Sequence, residues 1–423
     1  MVYGALAFGF LLFGLATRSG AIVSFAAVFV AYLSLAVLRD APAPQLAVSR
    51  ALGSRRVGDG SPVEVTVSVE NTGGTLPTVV LIDTIPYGLS VVSGSARFVT
   101  PIAAGETVSY TYTVTGKRGR YAFNRITARS YGFGGVRSRI AEFPVHSELT
   151  SLPPRRTIES IPLSPRKTLL YHGPIHAGIP GEGTEFFDVR EYAVGDPMRR
   201  INWRATARHE NRLFTTDFER ERITEIGIIV DGRAARNPVS HGVSLFEYTV
   251  AAAASLSDSL LSAGHRVGLV TIGVGLDWTF PGYGKKQAEK IYTALANASE
   301  GESAVFDALD SIPTRVLPAG SQVVIVSPVR GDDVRALSVM VARGYSVLVV
   351  RPDPESLAPI PVRPVRAAAI ASRLQRIDRV LTLRELERVG VPVVSWDIKE
   401  PLEACIRSHI PKLRAWRLRG GAI

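Results

Sequence analysis

The sequence predicts a multidomain protein with an N-terminal transmembrane helical hairpin, an all-β immunoglobulin-like sandwich and a C-terminal α/β domain of the Rossmann type. Three observations lead to this prediction. Two long apolar runs open the chain, short strands with period-two alternation follow, and continuous apolar strands alternating with helices complete it. Each pattern buries apolar side chains in a different way, so each predicts a separate domain.

The composition limits the chemistry available to the chain. Its 423 residues are enough for two or three domains with full cores. Its single cysteine, Cys405, excludes an intramolecular disulfide and a cysteine-rich metal site. The formal net charge of +11 favours acidic partners such as nucleic acid, anionic lipid or an acidic protein surface. No nucleic-acid-binding motif accompanies this charge, so nucleic acid is not the favoured partner.

Residues 1–40 are predicted to form the transmembrane hairpin. The apolar runs from Val2 to Thr17 and from Ala21 to Leu38 each have about the length that spans a bilayer. The break that begins at Arg18 is short, as in a tight helical hairpin. A signal peptide is the alternative, but no positive charge precedes the first run.

Flanking cations predict the orientation of this hairpin. The hairpin loop contains Arg18, whereas four arginines follow the second run: Arg39, Arg50, Arg55 and Arg56. The positive-inside rule therefore predicts a multi-pass protein of the cell membrane whose soluble domains are cytoplasmic.

Residues 41–149 are predicted to form the β-sandwich. Val63 to Val69 alternates apolar and polar residues with period two, and a turn at Asn71 to Gly74 follows. Further short strands recur at the spacing that is typical of an immunoglobulin-like sandwich. The chain has no Cys…Trp…Cys pattern, which excludes a true immunoglobulin domain.

Residues 150–224 are predicted to contain a connector and a distinctive motif, and the connector at residues 150–182 is rich in Pro, Arg and Gly. Residues 225–423 then alternate apolar strands with helices. Ile226 to Val230 is a continuous apolar run that ends at Asp231, and Ser244 to Ala263 is a long helical stretch. Such strands predict a parallel sheet covered by helices on both faces.

The signature segment, Gly183 to Arg208, is the most distinctive part of the sequence. Its turn at Gly195-Asp196-Pro197 is predicted to start a helix from Met198 to Arg208, with Asp196 as the N-cap. The predicted helix places three arginines at intervals of four residues, namely Arg200, Arg204 and Arg208. Arg199 and Trp203 are also four apart, which places the guanidinium over the indole.

Two interpretations of this segment are open. In one, a buried ion-pair network of Arg190, Glu191, Asp196 and Arg199 holds the fold. In the other, the segment is exposed and binds a partner. The expectation divides the motif: Arg190, Asp196 and Trp203 are structural, and Arg200, Arg204 and Arg208 contact an acidic partner. The motif residues are Glu185, Arg190, Glu191, Tyr192, Gly195, Asp196, Arg199, Trp203 and Arg208.

The signature segment also resembles a known family. Its pattern G-x-E-F-x-x-x-R-E-Y-x-x-G-D-x-x-R-x-I-x-W-x-A-x-A-R is similar to that of the family catalogued as domain of unknown function 58. The resemblance implies a membrane-anchored protein that ends in a von Willebrand factor A-like domain. It also implies a link to MoxR-type AAA+ ATPases. No enzymatic activity is established for that family.

The implied von Willebrand factor A-like fold raises the question of a metal site. Such domains typically bind magnesium at the pattern D-x-S-x-S. Here the pattern is Asp231-Gly232-Arg233-Ala234-Ala235, so both serines are missing and Arg233 puts a cation where a hydroxyl should bind one. The site at Asp231, Arg233 and Ala235 is therefore predicted to be degenerate, with no metal and no other cofactor. Asp231 is expected to pair with Arg233 instead.

These expectations favour a non-enzymatic, membrane-anchored scaffold or adaptor for protein–protein interaction, with a MoxR-type AAA+ ATPase as the expected partner. Two alternatives come from other classes. One is a metal-dependent hydrolase that uses the signature segment as a cleft, although no nucleophile and base occur at suitable spacing. The other is a basic module that binds lipid or nucleic acid through the +11 charge.

Overall fold

The computed structural model describes residues 2–38, 40–156, 158, 175–209, 212–222, 225–302, 316–318, 320–357 and 365–420. The chain divides into two compact units, residues 1–152 and residues 153–423. Each unit contains its own sheets and its own apolar core.

The first unit begins with two helices, α1 (Val2–Ala16) and α2 (Gly20–Leu38). At 1.5 Å per residue they are about 22 Å and about 28 Å long, against roughly 30 Å for the hydrocarbon core of a bilayer. Within the described part of the chain, no helix is both long enough and apolar enough to cross a membrane. The predicted transmembrane hairpin and the multi-pass membrane localisation are therefore wrong, and the predicted orientation loses its basis.

The rest of the first unit is built from β-strands. They are β1 (Leu46–Leu52), β2 (Arg56–Gly58), β3 (Val63–Asn71), β4 (Leu76–Asp83), β5 (Leu89–Gly94), β6 (Arg97–Ile102), β7 (Thr107–Gly116), β8 (Gly119–Tyr131) and β9 (Ser138–Leu152). One sheet has the order β1-β3-β7-β5, and the other has the order β2-β9-β8-β4-β6. Neighbouring strands are antiparallel except β2 and β9.

An apolar core lies between these sheets and contains one ion pair. Strand β3 contributes its alternate valines to the core, as its period-two sequence requires. Arg50 on β1 donates to Asp83 on β4 at 2.8 Å from Nε and 2.5 Å from Nη2. The Tyr112 hydroxyl donates to the same carboxylate at 2.6 Å. The pair links the two sheets, and its charges compensate each other inside the core.

The second unit contains ten described strands and six described helices. The strands are β10 (Ile175–Glu191), β11 (Phe214–Arg222), β12 (Glu225–Asp231), β13 (Val239–Ser240), β14 (Val243–Ser244), β15 (Arg266–Ile272), β16 (Leu276–Gly282), β17 (Gln322–Val326), β18 (Ser346–Pro352) and β19 (Val393–Trp396). The helices are α3 (Trp203–Thr206), α4 (Leu245–Ser262), α5 (Gly284–Asn297), α6 (Asp333–Ala342), α7 (Val365–Arg388) and α8 (Leu402–Gly420).

A six-stranded sheet organises this unit, in the order β16-β15-β12-β17-β18-β19. Its pairs are parallel except for β15 with β16 at one edge. Strands β12 and β17 are buried along almost their whole length, which explains their continuous apolar sequence. The strand order reverses between β12 and β17, so their carboxyl ends flank the crevice where ligands of such sheets usually bind.

Two expectations for this unit require correction. The unit shows no clear von Willebrand factor A pattern. In the loop after β12, Arg233 pairs with Asp231 where the metal site of that fold has hydroxyl side chains. Residues 175–182, expected in an irregular connector, belong to β10, which pairs with β11 as an antiparallel hairpin. Register shifts interrupt this pairing where the strand is rich in Gly and Pro.

Candidate functional site

The β10–β11 hairpin carries the signature segment and positions its ion pairs. Arg190 near the end of β10 lies opposite Thr215, and Asp188 lies opposite Asp217. Antiparallel pairing therefore brings the Asp217 carboxylate within reach of Arg190. Their atoms Nε and Oδ2 are 2.9 Å apart.

Arg190 also closes the turn that follows β10. Its Nη1 and Nη2 donate to Oδ2 and Oδ1 of Asp196, both at 2.8 Å, which is a bidentate arrangement. Asp196 additionally accepts the Ala193 amide at 2.9 Å. Gly195 between them has φ of +112°, a conformation that favours glycine. The Arg190 guanidinium is the main cause that lowers the pKa of Asp196, and the Ala193 amide adds to it.

The network is not buried as one interpretation required. The Arg190 side chain is 44% exposed, and those of Asp196 and Asp217 are 17% and 13% exposed. Glu191 pairs instead with Arg212 at 2.6 Å, and both of those side chains are exposed. The Tyr192 amide donates to the Leu213 carbonyl at 2.8 Å, which continues the hairpin beyond the two strands. The side chain of Glu185 lies outside the described residues.

The helix predicted from Met198 to Arg208 is broken into two short pieces. A 3₁₀ turn covers Met198–Arg200, and α3 covers Trp203–Thr206. Between them Ile201 is extended and forms an isolated bridge with Thr215 of β11. Because Ile201 is buried against the hairpin, the backbone leaves the helical path at this residue.

Asn202, rather than Asp196, is the N-cap of the helical piece. Its Oδ1 accepts the Ala205 amide at 3.0 Å, and its Nδ2 donates to the Thr216 hydroxyl at 3.1 Å. Sequence reasoning missed this residue, although asparagine is among the preferred N-cap types. Asp196 is already engaged by Arg190 and Ala193, so it closes the preceding turn instead.

The break removes the regular spacing of the predicted arginine row. Arg204 and Arg208 are exposed, whereas Arg200 is half-buried, and its charge contributes to lowering the pKa of Asp196. Trp203 is 67% exposed, which differs from the packing role expected for its indole. Arg199 is exposed as well, and the described residues show no stacking of its guanidinium on Trp203.

The exposed residues from Val194 to Arg208 are therefore a mixture of apolar and basic side chains, called here the signature surface. Three large apolar residues are exposed on it: Val194 at 103%, Met198 at 75% and Trp203 at 67%. No acidic residue occurs between Pro197 and Arg208. The signature surface consists of Val194, Met198, Arg199, Trp203, Arg204 and Arg208.

A second cluster lies at the carboxyl ends of β12 and β17. Arg233 donates to Asp231 from Nε at 2.9 Å and from Nη2 at 2.8 Å, so the expected ion pair is present. Its Nη2 also donates to Asp333 at 2.9 Å, and the Ser327 hydroxyl donates to Asp231 at 2.5 Å. Asp231, Ser327 and Asp333 are all at most 3% exposed, so this cluster is inside the protein.

Neighbouring residues complete the loop around this cluster. The Asn237 side-chain amide donates to the backbone carbonyls of Asp231 and Arg233 at 2.9 Å and 3.0 Å. Arg236 donates to Asp332, and Ala235 is exposed in a 3₁₀ turn. Across the described ranges, no group of three or more His, Cys, Asp or Glu side chains is arranged to hold a metal ion. The guanidinium of Arg233 occupies the space between the carboxylates.

Comparison with solved structures gives only distant similarities. A FixG-related protein from Vibrio parahaemolyticus is 10% identical, with a TM-score of 0.19 over 26% of this chain and 98% of its own. Native α2-macroglobulin from Escherichia coli, from domain MG7 to its C-terminus, is 17% identical, with a TM-score of 0.22 over 31% of this chain and 20% of its own. The cupredoxin domain of amoB from Nitrosocaldus yellowstonii is 11% identical, with a TM-score of 0.17 over 26% and 94%. Scores this low support no conclusion about function.

Comparison by sequence is more informative for the region that contains both candidate sites. No curated protein matches the chain. A family model does match residues 188–361, which include the signature surface and the cluster around Arg233. Residues 188–361 match, and so support, the family described as "Protein of unknown function DUF58".

Proposed function

We propose that this protein is a non-enzymatic adaptor that uses the signature surface to bind an acidic protein partner. The observation that supports the proposal is the exposure of Trp203, Met198 and Val194 beside exposed arginines on one ordered turn. Trp, Met and Arg are enriched where protein interfaces concentrate their binding energy. Several exposed residues of these types within one segment therefore favour a docking role.

Side-chain hydrogen bonds hold the turn in one conformation, which favours binding by a preformed surface. Arg190 ties the turn to both Asp196 and Asp217, and Asn202 ties the helical piece to Thr216. These contacts do not involve Met198 or Trp203, which stay exposed. Preorganisation of this kind reduces the conformational entropy lost on association.

The charge of the surface indicates the chemistry of the partner. Arg199, Arg204 and Arg208 are exposed, and no acidic residue lies among them in the sequence. An acidic face of a protein is complementary to these arginines and can also cover the indole of Trp203. The family resemblance makes a MoxR-type AAA+ ATPase the first partner to test.

The test is a titration of the full chain with the MoxR-type ATPase of the same organism. We expect Trp203→Ala to weaken binding about 30-fold, as for a hot-spot residue worth about 2 kcal/mol. Trp278→Ala is the matched control, because Trp278 is 48% exposed on β16, outside the signature surface. It should leave the affinity unchanged.

Each negative result contradicts a different part of the proposal. If the wild-type chain does not bind the ATPase, the partner is wrong. If the ATPase binds wild type and Trp203→Ala equally well, the signature surface is not the docking site. Denaturation curves of both tryptophan variants show whether a loss of binding reflects a loss of fold.

A further inference from the structure

An apolar stripe runs along the exposed face of α7. It consists of Ile370, Leu374, Ile377 and Leu381, which are 62%, 61%, 50% and 53% exposed. Spacings of four, three and four residues place these side chains on one face, because the helix has 3.6 residues per turn. Large apolar side chains that are contiguous in solvent mark an interaction site more often than scattered ones do.

The opposite face of α7 packs on its own domain. Thr382 is 3% exposed, and the fully buried Leu386 belongs to the apolar core beneath the sheet. Arg379 donates to Asp353 at 2.6 Å and fixes the middle of the helix. At 100° per residue these positions lie roughly on the other side of the helix from the stripe. One face of α7 thus packs on its own domain, and the face that carries the stripe is exposed to solvent.

The stripe has the spacing of a coiled-coil seam. Ile370 and Ile377 occupy d positions of a heptad, and Leu374 and Leu381 occupy a positions. Each a or d side chain of such a helix inserts between side chains of a facing helix. A partner helix with the same spacing is therefore the natural complement of this surface.

The charges beside the stripe indicate what that partner helix is. Arg373 is at a g position, and Asp378, five residues later, is at an e position. In parallel coiled coils, g of one helix faces e of its neighbour five residues further on. Both residues are exposed, and neither has an ion-pair or hydrogen-bond partner among the described residues of its own chain. Two copies of α7 in parallel bring the opposite charges together.

We propose that the stripe on α7 pairs in parallel with the stripe of a second copy of this chain, with Arg373 of one copy opposite Asp378 of the other. Antiparallel helices would bring g against g, and Arg373 would then lack its acidic partner. Leucine at a with isoleucine at d favours three or four parallel strands over two. The assembly is therefore expected to have three or four times the mass of one chain. This proposal does not depend on the proposed function.

The first test is sedimentation equilibrium of the full chain over a range of concentrations. The wild type should self-associate, and Ile377→Glu should lower the association constant at least tenfold. Val92→Glu is the matched control, because it makes the same kind of change at a position that is 62% exposed on β5, outside both α7 and the signature surface. It should associate like wild type. The N-terminal helices are common to all three proteins, so the comparison isolates the stripe.

The second test reverses the charges of Arg373 and Asp378. Arg373→Glu and Asp378→Arg should each weaken association, because each places like charges across the parallel pair. The double variant reverses both charges and should restore association. All of these positions are exposed, so the midpoint of chemical denaturation should not change.

Three outcomes would overturn the proposal. The first is a wild-type chain that keeps the mass of one copy at every concentration. The second is an Ile377→Glu variant that associates as strongly as Val92→Glu. The third is a double charge variant that stays as weak as the single variants, which would exclude the parallel arrangement.

Discussion

Two arginine–carboxylate networks in the second unit have the same chemistry and opposite surroundings. Arg233 reaches Asp231 and Asp333 inside the protein, where all three side chains are at most 5% exposed. Arg190 reaches Asp196 and Asp217 at the surface, with its own side chain 44% exposed. Each guanidinium bridges two carboxylates, so burial rather than bonding pattern distinguishes them.

Burial changes what each network contributes. A buried charge without its partner has a large desolvation cost, so the Arg233 network must be complete for the fold to be stable. An exposed pair contributes little to stability, because water and salt screen it. The Arg190 network can therefore serve mainly to hold a turn in one conformation. The Arg233 network therefore stabilises the fold, and the Arg190 network positions the signature surface.

The largest expected effect comes from removing the buried cation. Arg233→Met leaves Asp231 as a buried carboxylate without a counter-charge, and it leaves Asp333 with only the more distant Arg236 at 3.5 Å. It should lower the free energy of unfolding by about 3–5 kcal/mol. Chemical denaturation of the full chain measures this change. Asp332→Asn is the control, because the Asp332 side chain is 66% exposed and its pair with Arg236 should contribute at most about 1 kcal/mol. Equal stabilities of the two variants would contradict the distinction.

An intermediate effect is expected on binding alone. Arg204→Ala combined with Arg208→Ala should weaken association with the acidic partner about tenfold, or about 1.4 kcal/mol. The same variant should keep the free energy of unfolding within about 0.5 kcal/mol of wild type, because both side chains are exposed. The loss should shrink as salt is added, since exposed charges are screened. A salt-independent loss would show that the arginines do not act through their charge.

The smallest effect concerns the protonation of Asp196. Its pKa is lowered in the folded protein, so its contribution to the turn is present above its ordinary pKa of 3.8 and is lost only as the pH falls through the lower folded value. The Ala193 amide donates to this carboxylate and therefore senses its protonation. The chemical shift of the Ala193 amide should titrate with a midpoint below pH 3.8. The shift should not titrate in Asp196→Asn. A midpoint at or above 3.8 would mean that Arg190 does not hold the turn in solution.

The buried elements were the most predictable parts of the fold. The apolar run from Ile226 to Val230 is the centre of β12, and the helical stretch from Ser244 to Ala263 contains α4. The alternating stretch from Val63 to Val69 lies in β3. In these segments burial determines the pattern of apolar residues, so the local sequence is enough to predict the element.

The signature segment was less predictable, because tertiary contacts determine its path. Nothing between Met198 and Arg208 breaks a helix locally, yet Ile201 is buried against β11 and pairs with Thr215. Asp196 looks like an N-cap in sequence, but Arg190 on β10 engages it first. The first difference comes from Thr215, which lies later in the chain, and the second comes from Arg190, which precedes Asp196.

The N-terminal helices show a different limit of sequence reasoning. Two apolar runs of about spanning length predicted two membrane spans, but the first helix ends at Ala16. Length and composition must both be sufficient, and no described helix meets both conditions. The ion pair between Arg233 and Asp231 was easier to predict, because opposite charges lie two residues apart in the sequence.

The most direct test of the central claim is amide hydrogen exchange of the full chain with and without its acidic partner. We predict that bound partner slows exchange in residues 192–208 and leaves residues 231–237 unchanged. That result would place binding on the signature surface and leave the buried cluster with a role in the fold. Slower exchange in residues 231–237 without any change in residues 192–208 would contradict the account.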